Sequence, residues 1–417
     1  MKKVISRLTT ILLVTTLVLG CMTGCNSSDN GSKGGSSTSS TDSSNKKNIK
    51  IGLICLHDEN STYDLNFINS IEAAKKNLGL SDEQVIIKKN IPESNECREA
   101  AYDLADRGCN IIFADSFGHE PYILEAAEKY PNVQFCHSTG TLAHTEKKSN
   151  FHDAFSSIYE GRYLAGIAAG MKLNEMIAQG KITADQAVMG YVGAFTYAEV
   201  ISGYTSFYLG AKSVCPSVTM KVQFTGSWYD ETAEKEAATK LISDGCVLIS
   251  QHADSMGAPT ACENAGVPNI SYNGSTQDAC PNTFIVSSRI DWAPYYEYVI
   301  KSVMDGKSMD YDWVGNLADG SVKLTAVNTK AAAAGTQEAI DKAAEDLKAG
   351  KIHVFDTNNF TVGGKKLDSY LADVDTDDQY TPDTEVIKDG YFHESEYRSA
   401  PYFDLRIDGI TTLNEMY

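Results

Sequence analysis

The sequence predicts an α/β protein made of two doubly wound parallel-sheet lobes that are joined by hinge segments. Between residues 49 and 272, short β-rich runs alternate with segments of helical periodicity, a pattern typical of parallel sheets. A long small-residue helix, predicted over 159–178, interrupts this alternation once, and the alternation then restarts. A chain of 417 residues has room for about two to four domains, so two such lobes fit its length.

The predicted elements of each lobe follow one another along the chain. The first lobe, 49–157, is predicted to contain strands over 49–56, 85–90, 110–114 and 133–137 and helices over 63–78, 93–107 and 119–129. The second lobe, 158–283, is predicted to contain strands over 187–193, 219–224, 247–251 and 269–272 and helices over 198–211, 231–243 and 256–265. A return segment to the first lobe is placed near 284–312, with a strand over 284–288 and a helix over 292–304.

The remaining residues, 313–417, are predicted to form a crossing segment and a C-terminal extension that packs on the lobes. An Ala-rich helix is predicted over 336–349. No element can be assigned past Val354, where Asp, Tyr and Thr are frequent. Tyr402 and Phe403 lie in this tail, and we expect such apolar side chains to be covered by the second lobe.

Residues 1–25 have the build of a lipoprotein signal peptide. A basic start precedes the apolar stretch 8–20, which is shorter than the roughly 20 residues that a membrane-spanning helix needs. The cysteine-containing end of this segment resembles a lipobox, with Cys25 as the expected lipidation site and Cys21 as the alternative. A cleaved signal peptide with incidental cysteines is the other interpretation.

Residues 26–48 consist almost wholly of Ser, Gly, Asn, Thr, Asp and Lys, which predicts a disordered tether. The chain has 36 basic and 55 acidic residues, a formal net charge of −19, which argues against a nucleic-acid surface and against adhesion to anionic lipid. The eight cysteines after the tether include no CxxC pair, so we expect most to be buried thiols. Cys262 and Cys280 are the pair to test for a disulfide.

Polar and aromatic residues recur where strands of both lobes end. The loop 57–67 follows the first strand, and comparable groups occur at 115–119, 137–139, 195–197, 228–230, 251–254 and 273–275. Ligands bind outside the carboxyl ends of parallel strands, and two facing sheets bring those ends to one cleft. Aromatic faces with amides, hydroxyls and carboxylates suit a flat polar ring that bears a diol. The sequence therefore predicts a small-molecule cleft.

Signatures of enzymes and cofactor sites are absent from the sequence. It has no Gly-x-Ser-x-Gly elbow, no GxxxxGK[ST] loop and no HExxH pair. His252 and Asp254 lack a third metal ligand at a recognisable spacing. We therefore expect a binding protein with no cofactor, no metal and no catalytic residues.

The helix sequence at 159–170, YEGRYLAGIAAG, resembles the helix that marks the basic membrane protein family of lipoproteins, substrate-binding subunits of ABC importers. Three further segments are similar to that family: 226–230 to its Gly-Ser-Trp-x-Asp segment, 130–135 to its Tyr-Pro-Asp-x-x-Phe segment, and 274–278 to its second-lobe cleft. The likeness spans about 49–327. It implies two type I periplasmic-binding lobes that deliver a ligand to a permease.

Family members resemble purine-nucleoside receptors, in which a first-loop Asp and Asn, two stacking aromatics and second-lobe acids hold base and ribose. Here the family's Asp-x-Ser-Phe-Asn appears as Asp64-Leu65-Asn66-Phe67, with the order of the last two residues exchanged, and Asn273 takes the place of a second-lobe acid. Position and resemblance together indicate these ligand-binding residues: Asp58, Asn60, Tyr63, Asn66, Phe67, Ser116, Phe117, Phe195, Trp228, Asp254 and Asn273. For Trp228, a position in the core is the alternative.

The expected function is capture of a nucleoside, with purine preferred, by a lipid-anchored monomer on the extracytoplasmic face of the cell membrane. ABC permease and ATPase subunits are the expected partners, and nucleic acid is not. Riboflavin is the alternative ligand. A surface hydrolase of nucleosides or glycans, with Asp58, Asp64 or Asp254 as general acid and base, and a sensory lipoprotein that signals to a membrane kinase are alternative functions.

Overall fold

The computed structural model describes residues 49–374, 379 and 381–417. The predicted signal peptide, the lipidation site at Cys25 or Cys21 and the tether 26–48 lie outside this described part. Within the described residues, no helix is both long and apolar enough to cross a membrane. The eight cysteines from Cys55 to Cys280 are buried free thiols, Cys262 and Cys280 among them.

The first lobe is built on a six-stranded sheet in which all neighbouring strands are parallel. Its strands are β1 (Ile51–Ile54), β2 (Val85–Lys88), β3 (Ile111–Ala114), β4 (Gln134–Ser138), β5 (Phe151–Ser156) and β11 (Asp312–Gly315), in the spatial order β11-β5-β4-β3-β1-β2. Its helices are α1 (Thr62–Leu78), α2 (Asn95–Asp106), α3 (Glu120–Lys129), the short α4 (Ala143–Glu146) and α9 (Ala293–Asp305). Helices α1 and α9 cover one face of the sheet, and α2 and α3 cover the other.

The second lobe is built on a seven-stranded sheet. Its strands are β6 (Val188–Gly193), β7 (Thr219–Phe224), β8 (Leu248–His252), β9 (Asn269–Tyr272), β10 (Phe284–Ile290), β12 (Val322–Leu324) and β17 (Ile410–Thr412), in the order β12-β10-β9-β8-β6-β7-β17. Only β12 runs antiparallel to its neighbour among these described strands. Helices α5 (Ile158–Ala178), α6 (Ala198–Val214) and α10 (Thr336–Lys348) pack on one face, and α7 (Glu231–Ser243) and α8 (Gly257–Ala265) on the other.

Close packing of α5 against α6 explains the small residues of the long helix. A Cβ on Gly166 would lie 2.0 Å from the carbonyl oxygen of Phe207, and a Cβ on Gly210 would lie 2.0 Å from that of Tyr163. Only glycine permits the two backbones to approach so closely. The apolar helix predicted over 159–178 is therefore buried inside the second lobe.

The chain passes between the two sheets three times in the described part: before α5, between β10 and α9, and between β11 and β12. These crossings are hydrogen-bonded to each other, because Ser157 N–H donates to the Gly315 carbonyl at 2.8 Å and Asp291 N–H donates to the Ser321 carbonyl at 2.7 Å. The expected return to the first lobe begins later than the sequence indicates. Strand β10 still pairs in the second sheet, and the first lobe receives α9 and β11 instead.

The C-terminal extension packs on the second lobe and extends its sheet. Phe355, Phe360 and Phe403 join the same hydrophobic core as α5, α6 and α10. Two short antiparallel strand pairs lie in it, β13 (Leu371–Ala372) with β14 (Thr384–Glu385) and β15 (Ile387–Lys388) with β16 (Tyr391–Phe392). Further along the extension, β17 pairs in parallel with β7 at the edge of the sheet.

Candidate functional site

A cavity with about 370 Å³ of empty space lies between the lobes, at the carboxyl ends of their strands. Both lobes line it, with Leu56, Tyr63, Asp64, Ser116, Phe117 and Thr139 from the first and Glu199, Trp228, His252, Asp254 and Tyr272 from the second. It lies at the strand ends, where the sequence places the cleft.

The lobes contact each other around the cavity. Thr62 N–H donates to the Asp254 carbonyl at 3.1 Å. The Asn66 amide donates to the Asn273 side-chain oxygen at 3.2 Å. The Phe117 ring lies 5.4 Å from that of Tyr197, centroid to centroid. These contacts describe a closed cleft.

The first-lobe face of the cavity is anchored by Asp64. Helix α1 starts at a Ser61 cap, and the Ser61 hydroxyl donates to one Asp64 oxygen at 2.6 Å while His57 N–H donates to the other at 2.8 Å. Burial acts to raise the pKa of Asp64, but these hydrogen bonds hold it below its ordinary value. Asp64 therefore presents an ionised acceptor to the cavity at neutral pH.

Asp115 lies behind Asp64, and its pKa is shifted in the opposite direction. Burial and the neighbouring charge of Asp64 raise the pKa of Asp115 well above its ordinary value. One proton is thus held by Asp115 beside the ionised Asp64. One potential metal-ligand atom from each of Asp64, Asp115 and Cys55 lies within 4.8 Å of the other two. Burial raises the pKa of the Cys55 thiol, however, and a thiol that keeps its proton is a poor metal ligand.

The second-lobe face carries a further acid, Asp254, in the loop after β8. Burial, followed by the charges of Asp64, Glu234 and Glu199, raises its pKa well above the ordinary value. A protonated Asp254 can donate one hydrogen bond and accept another. The neutral acid therefore complements the ionised Asp64 across the cavity.

His252 and Glu199 form a polar pair on the same face. Nε2 of His252 lies 3.3 Å from a Glu199 carboxylate oxygen. Burial and then the charge of Arg162 lower the pKa of His252 to about 4, so its imidazole is neutral at pH 7. The neutral ring donates to Glu199 through Nε2, which leaves the remaining Glu199 oxygen able to accept from a ligand.

A fully buried arginine supports the floor of the cavity. The Arg162 guanidinium lies 3.4 Å from the centroid of the Tyr272 ring, and its Nη1 donates to the Gln251 carbonyl at 2.9 Å. Arg162 belongs to α5 and is 0% exposed. This cation–π contact fixes the Tyr272 ring, which lines the cavity.

Aromatic rings form the outer part of the second-lobe face. Trp228 lines the cavity, and the Phe195 ring meets it edge to face at 5.2 Å. Phe195 also stacks on Tyr197 at 5.1 Å. Between them, Thr196 exchanges two hydrogen bonds with Met416, from Thr196 N–H to the Met416 carbonyl at 2.7 Å and from Met416 N–H to the Thr196 hydroxyl at 2.8 Å. The end of the chain thus supports the aromatic loops.

Thr139 supplies a strained backbone position at the cavity. Its φ is 71°, a left-handed conformation that β-branched residues rarely adopt. Such strain persists where surrounding contacts impose it, and it concentrates at functional sites. Asn273 also has a positive φ, 64°, which asparagine tolerates far better.

Five of the eleven residues predicted for ligand binding line the cavity: Tyr63, Ser116, Phe117, Trp228 and Asp254. The other six lie beside or behind it. Asp58 accepts from Asn60 within their own loop, and Asn66 bridges to Asn273 between the lobes. Phe67 is 0% exposed and stacks on Trp292 at 4.5 Å in the first-lobe core. Phe195 supports Trp228 from behind.

Six lining residues are absent from the predicted set: Leu56, Asp64, Thr139, Glu199, His252 and Tyr272. Most of them lie at or beside strand ends, in or next to the polar loops that the sequence singles out. For Glu199 the available signal is its place in the first turn of α6, two residues after Tyr197. For the supporting Arg162, the signal is a charged residue at the start of a run of small apolar residues in a buried helix.

Comparison with known sequences gives several relatives. A purine-binding protein of Brucella abortus is 30% identical over 78% of this chain and 86% of its own length. A putative glucose-binding ABC transporter protein of Haloferax volcanii is 33% identical over 49% of each chain. An ABC transporter nucleoside-binding protein of Lactococcus lactis is 25% identical over 61% of this chain and 73% of its own.

Comparison with solved structures gives the fold. An ABC transporter solute-binding protein from Aeropyrum pernix matches with a TM-score of 0.61 and 17% identity, over 74% of this chain and 93% of that one. The periplasmic-binding fold expected from the sequence is therefore confirmed.

The family comparison covers most of the chain. The model of the Bmp family, described as ABC transporter substrate-binding protein, PnrA-like, matches residues 53–356. This range includes both halves of the cavity and ends where the C-terminal extension begins. The resemblance noted in the sequence is confirmed, and the chain belongs to the Bmp family of PnrA-like ABC transporter substrate-binding proteins.

Proposed function

We propose that this protein captures a purine nucleoside, or the corresponding free base, in the cleft between its lobes and delivers it to an ABC importer. The observation that carries the proposal is a cavity lined by aromatic rings and carboxyl groups. None of the described residues that line it is Lys or Arg. A purine-binding and a nucleoside-binding relative support the same ligand class.

The charge of the lining selects among aromatic metabolites. Asp64, Glu199 and Asp254 supply carboxyl groups, which accept hydrogen bonds from ring N–H groups, amino groups and ribose hydroxyls. Phe117 and Trp228 supply faces on which a planar base can stack. A phosphate has no cationic partner among these lining residues, so nucleotides are disfavoured.

Thermal unfolding of the protein, refolded to remove co-purified ligand, tests the proposal. A ligand present at about 100 times its dissociation constant adds about 2.7 kcal/mol of stability. We expect inosine, guanosine or adenosine, or their bases, to raise the midpoint by a few degrees. Pyrimidine nucleosides, amino acids and glucose serve as controls. A midpoint that moves only with glucose, or with none of these compounds, contradicts the proposed ligand class.

Riboflavin remains the alternative ligand, and it belongs in the same panel. A hydrolase of nucleosides or glycans is the alternative from another class. Incubation with inosine and glycan fragments, followed by chromatography for free base or sugar, distinguishes it. We propose that no such product forms.

We further propose that the protein is a monomer held on the extracytoplasmic face of the membrane by a lipid on Cys25. The apolar stretch 8–20 and the polar tether 26–48 support this arrangement. Labelling with a radioactive fatty acid should mark the wild type and Cys21→Ser but not Cys25→Ser. The reverse result assigns the lipid to Cys21, and labelling of neither wild type nor variant contradicts the anchor.

A further inference from the structure

A second polar cluster lies inside the first lobe, behind the ligand cavity. Glu120 is the first residue of α3, His137 lies on β4 and Asp153 on β5. Their exposed fractions are 5%, 0% and 1%. None of the three lines the ligand cavity. One potential ligand atom from each residue lies within 4.8 Å of those of the other two.

The hydrogen bond of His137 determines which of its nitrogens carries the proton. Its Nε2 lies 2.6 Å from the carbonyl oxygen of Ser116. A carbonyl oxygen only accepts, so Nε2 carries the single proton of the neutral imidazole and donates it. Nδ1 therefore carries a lone pair. In the neutral ring this nitrogen can only accept a hydrogen bond or bind a cation.

The His137 lone pair faces a carboxylate oxygen. Nδ1 lies 3.7 Å from Oδ1 of Asp153, and neither of these buried atoms has a hydrogen-bond partner. Two acceptors that face each other repel, and each loses its hydration on burial without compensation. A cation bound by both atoms would remove this repulsion and replace the lost hydration.

One oxygen of each acid is already held by the backbone. One Glu120 oxygen accepts from Thr141 N–H at 2.7 Å and from Leu142 N–H at 2.8 Å. Oδ2 of Asp153 accepts from Leu142 N–H at 3.0 Å and from Ala143 N–H at 2.9 Å. Metal-ligating carboxylates and histidines are characteristically oriented by such outer hydrogen bonds, including a ring N–H donated to a backbone carbonyl.

A glycine lets the backbone pass directly over the two acids. A Cβ on Gly140 would lie 2.1 Å from an Asp153 carboxylate oxygen and 2.6 Å from one of Glu120. Any larger residue would therefore fill the space beside the carboxylates. The loop from Thr139 to Leu142 closes the cluster from above, and Thr139 reaches the ligand cavity.

We propose that Glu120, His137 and Asp153 bind one zinc ion. Tetrahedral zinc takes His nitrogen and carboxylate oxygen ligands at about 2.0–2.2 Å, which places two ligands of one ion about 3.4 Å apart. The 3.7 Å between His137 Nδ1 and Asp153 Oδ1 is close to this spacing, and the ligand atoms of the whole set, which lie within 4.8 Å of one another, draw together when the ion binds. Two carboxylates and a neutral imidazole balance the charge of the ion.

The donor set distinguishes zinc from the common hard cations. Calcium takes six to eight oxygen ligands and magnesium prefers an octahedron of oxygens, whereas this cluster offers one nitrogen and few free oxygens. The ion ties together α3, β4 and β5. His137 is hydrogen-bonded to Ser116, and Thr139 directly follows β4; both Ser116 and Thr139 line the cavity. The ion thereby holds the first-lobe face of the cavity in place.

The test is zinc binding by the full chain in detergent, after dialysis against a chelator. We expect the wild type to bind one zinc ion per chain, measured by titration calorimetry and elemental analysis, with a rise in the unfolding midpoint. Glu120→Gln and His137→Gln should weaken zinc binding by at least about 100-fold, because each removes a direct ligand. Cobalt(II) in place of zinc supplies an absorption band that reports coordination directly.

Glu394→Gln is the matched control. Glu394 is also a buried acid, 6% exposed, and burial raises its pKa to about 8, as it does for Glu120, but it lies in the C-terminal extension. This variant should bind zinc as the wild type does. Absence of zinc binding to the folded wild type contradicts the proposal. Equal affinity in the wild type, Glu120→Gln and His137→Gln, each shown to be folded by circular dichroism, contradicts it as well.

Discussion

The two faces of the ligand cleft are built in different ways. On the first lobe, Asp64 is oriented by hydrogen bonds from its own loop, from His57 and Ser61. On the second lobe, Trp228 and its neighbouring rings rely on Thr196, which is hydrogen-bonded to Met416 at the far end of the chain. The acid of the first-lobe face is held by its own loop, whereas the aromatic rings of the second-lobe face are supported by a distant part of the chain.

This difference indicates where each face is vulnerable. A local hydrogen-bond network tolerates changes elsewhere in the chain but depends on the core residues beneath it. The rings of the second-lobe face depend on hydrogen bonds to Met416, which is 39% exposed. We therefore expect changes behind the first-lobe face to reduce stability and changes behind the second-lobe face to reduce affinity.

The largest expected effect is on stability, from Phe67→Ala. Phe67 is fully buried between Tyr63 and Trp292, so its removal should lower the free energy of unfolding by about 3–5 kcal/mol. Phe195→Ala, which removes a half-buried ring of the second-lobe face, is the control and should cost much less. Urea denaturation measures both. Equal losses of unfolding free energy in the two variants would contradict the expectation that changes behind the first-lobe face cost more stability.

The acids of the two faces should give stability slopes of opposite sign with pH. The folded-state pKa of Asp254 is raised above its ordinary value of 3.8, so its contribution to stability is full below about pH 3.8 and is lost as the pH rises toward the folded-state pKa. The folded-state pKa of Asp64 is lowered below its ordinary value, so the contribution of Asp64 to stability is present above about pH 3.8 and is lost as the pH falls.

Urea denaturation from about pH 3 to about pH 7 measures these slopes. Relative to Asp254→Asn, the ligand-free wild type should lose up to about 1.4 kcal/mol per pH unit as the pH rises above about 4. Relative to Asp64→Asn, the wild type should instead lose stability as the pH falls below about 4. Parallel slopes for the two pairs would show that burial acts equally on both acids.

Trp228→Ala should weaken nucleoside binding without unfolding the protein. Stacking of one base on an aromatic side chain is worth about 1–3 kcal/mol, or about 5–150-fold in affinity. Trp313→Ala is the matched control, because Trp313 packs on Tyr295 in the first lobe and does not line the cavity. Titration calorimetry should find its affinity unchanged. An unchanged affinity in Trp228→Ala would show that Trp228 is a core residue and does not bind the ligand.

The smallest expected effect comes from the chain end. Asn414 accepts from Phe224 N–H at 2.8 Å and donates to the Phe224 carbonyl at 2.9 Å, which extends the pairing of β17 with β7. Asn414→Ala should weaken nucleoside binding by about fivefold, equivalent to about 1 kcal/mol for a hydrogen bond. Asn358→Ala, an exposed Asn elsewhere in the extension, serves as control. Equal affinities would show that the terminus does not support the aromatic loops.

Sequence periodicity was sufficient for most of the strands and helices, because each lobe alternates buried strands with amphipathic helices. It missed β5, whose sequence FHDAFS mixes polar and apolar residues although every one is buried. It also missed β17, a three-residue strand formed only because β7 offers an unpaired edge. Such tertiary pairings leave no periodic signal.

The candidate site was predictable to the level of the loop but not to the level of the side chain. Strand ends identified the loops that surround the cavity. Which residues face it depends on packing, so Phe67 enters the core while its neighbour Tyr63 lines the cavity. The support from Arg162 and from Met416 involves residues distant in sequence, which no local pattern reveals.

The most direct test of the central claim compares inosine with inosine 5′-monophosphate by titration calorimetry on the ligand-free protein. A cavity lined by rings and carboxyl groups, without Lys or Arg among its described lining residues, should bind the nucleoside and reject the nucleotide. We predict an affinity for inosine at least about 100-fold higher, because the phosphate loses hydration without gaining a cationic partner. Equal affinities, or a preference for the nucleotide, would contradict this account of the site.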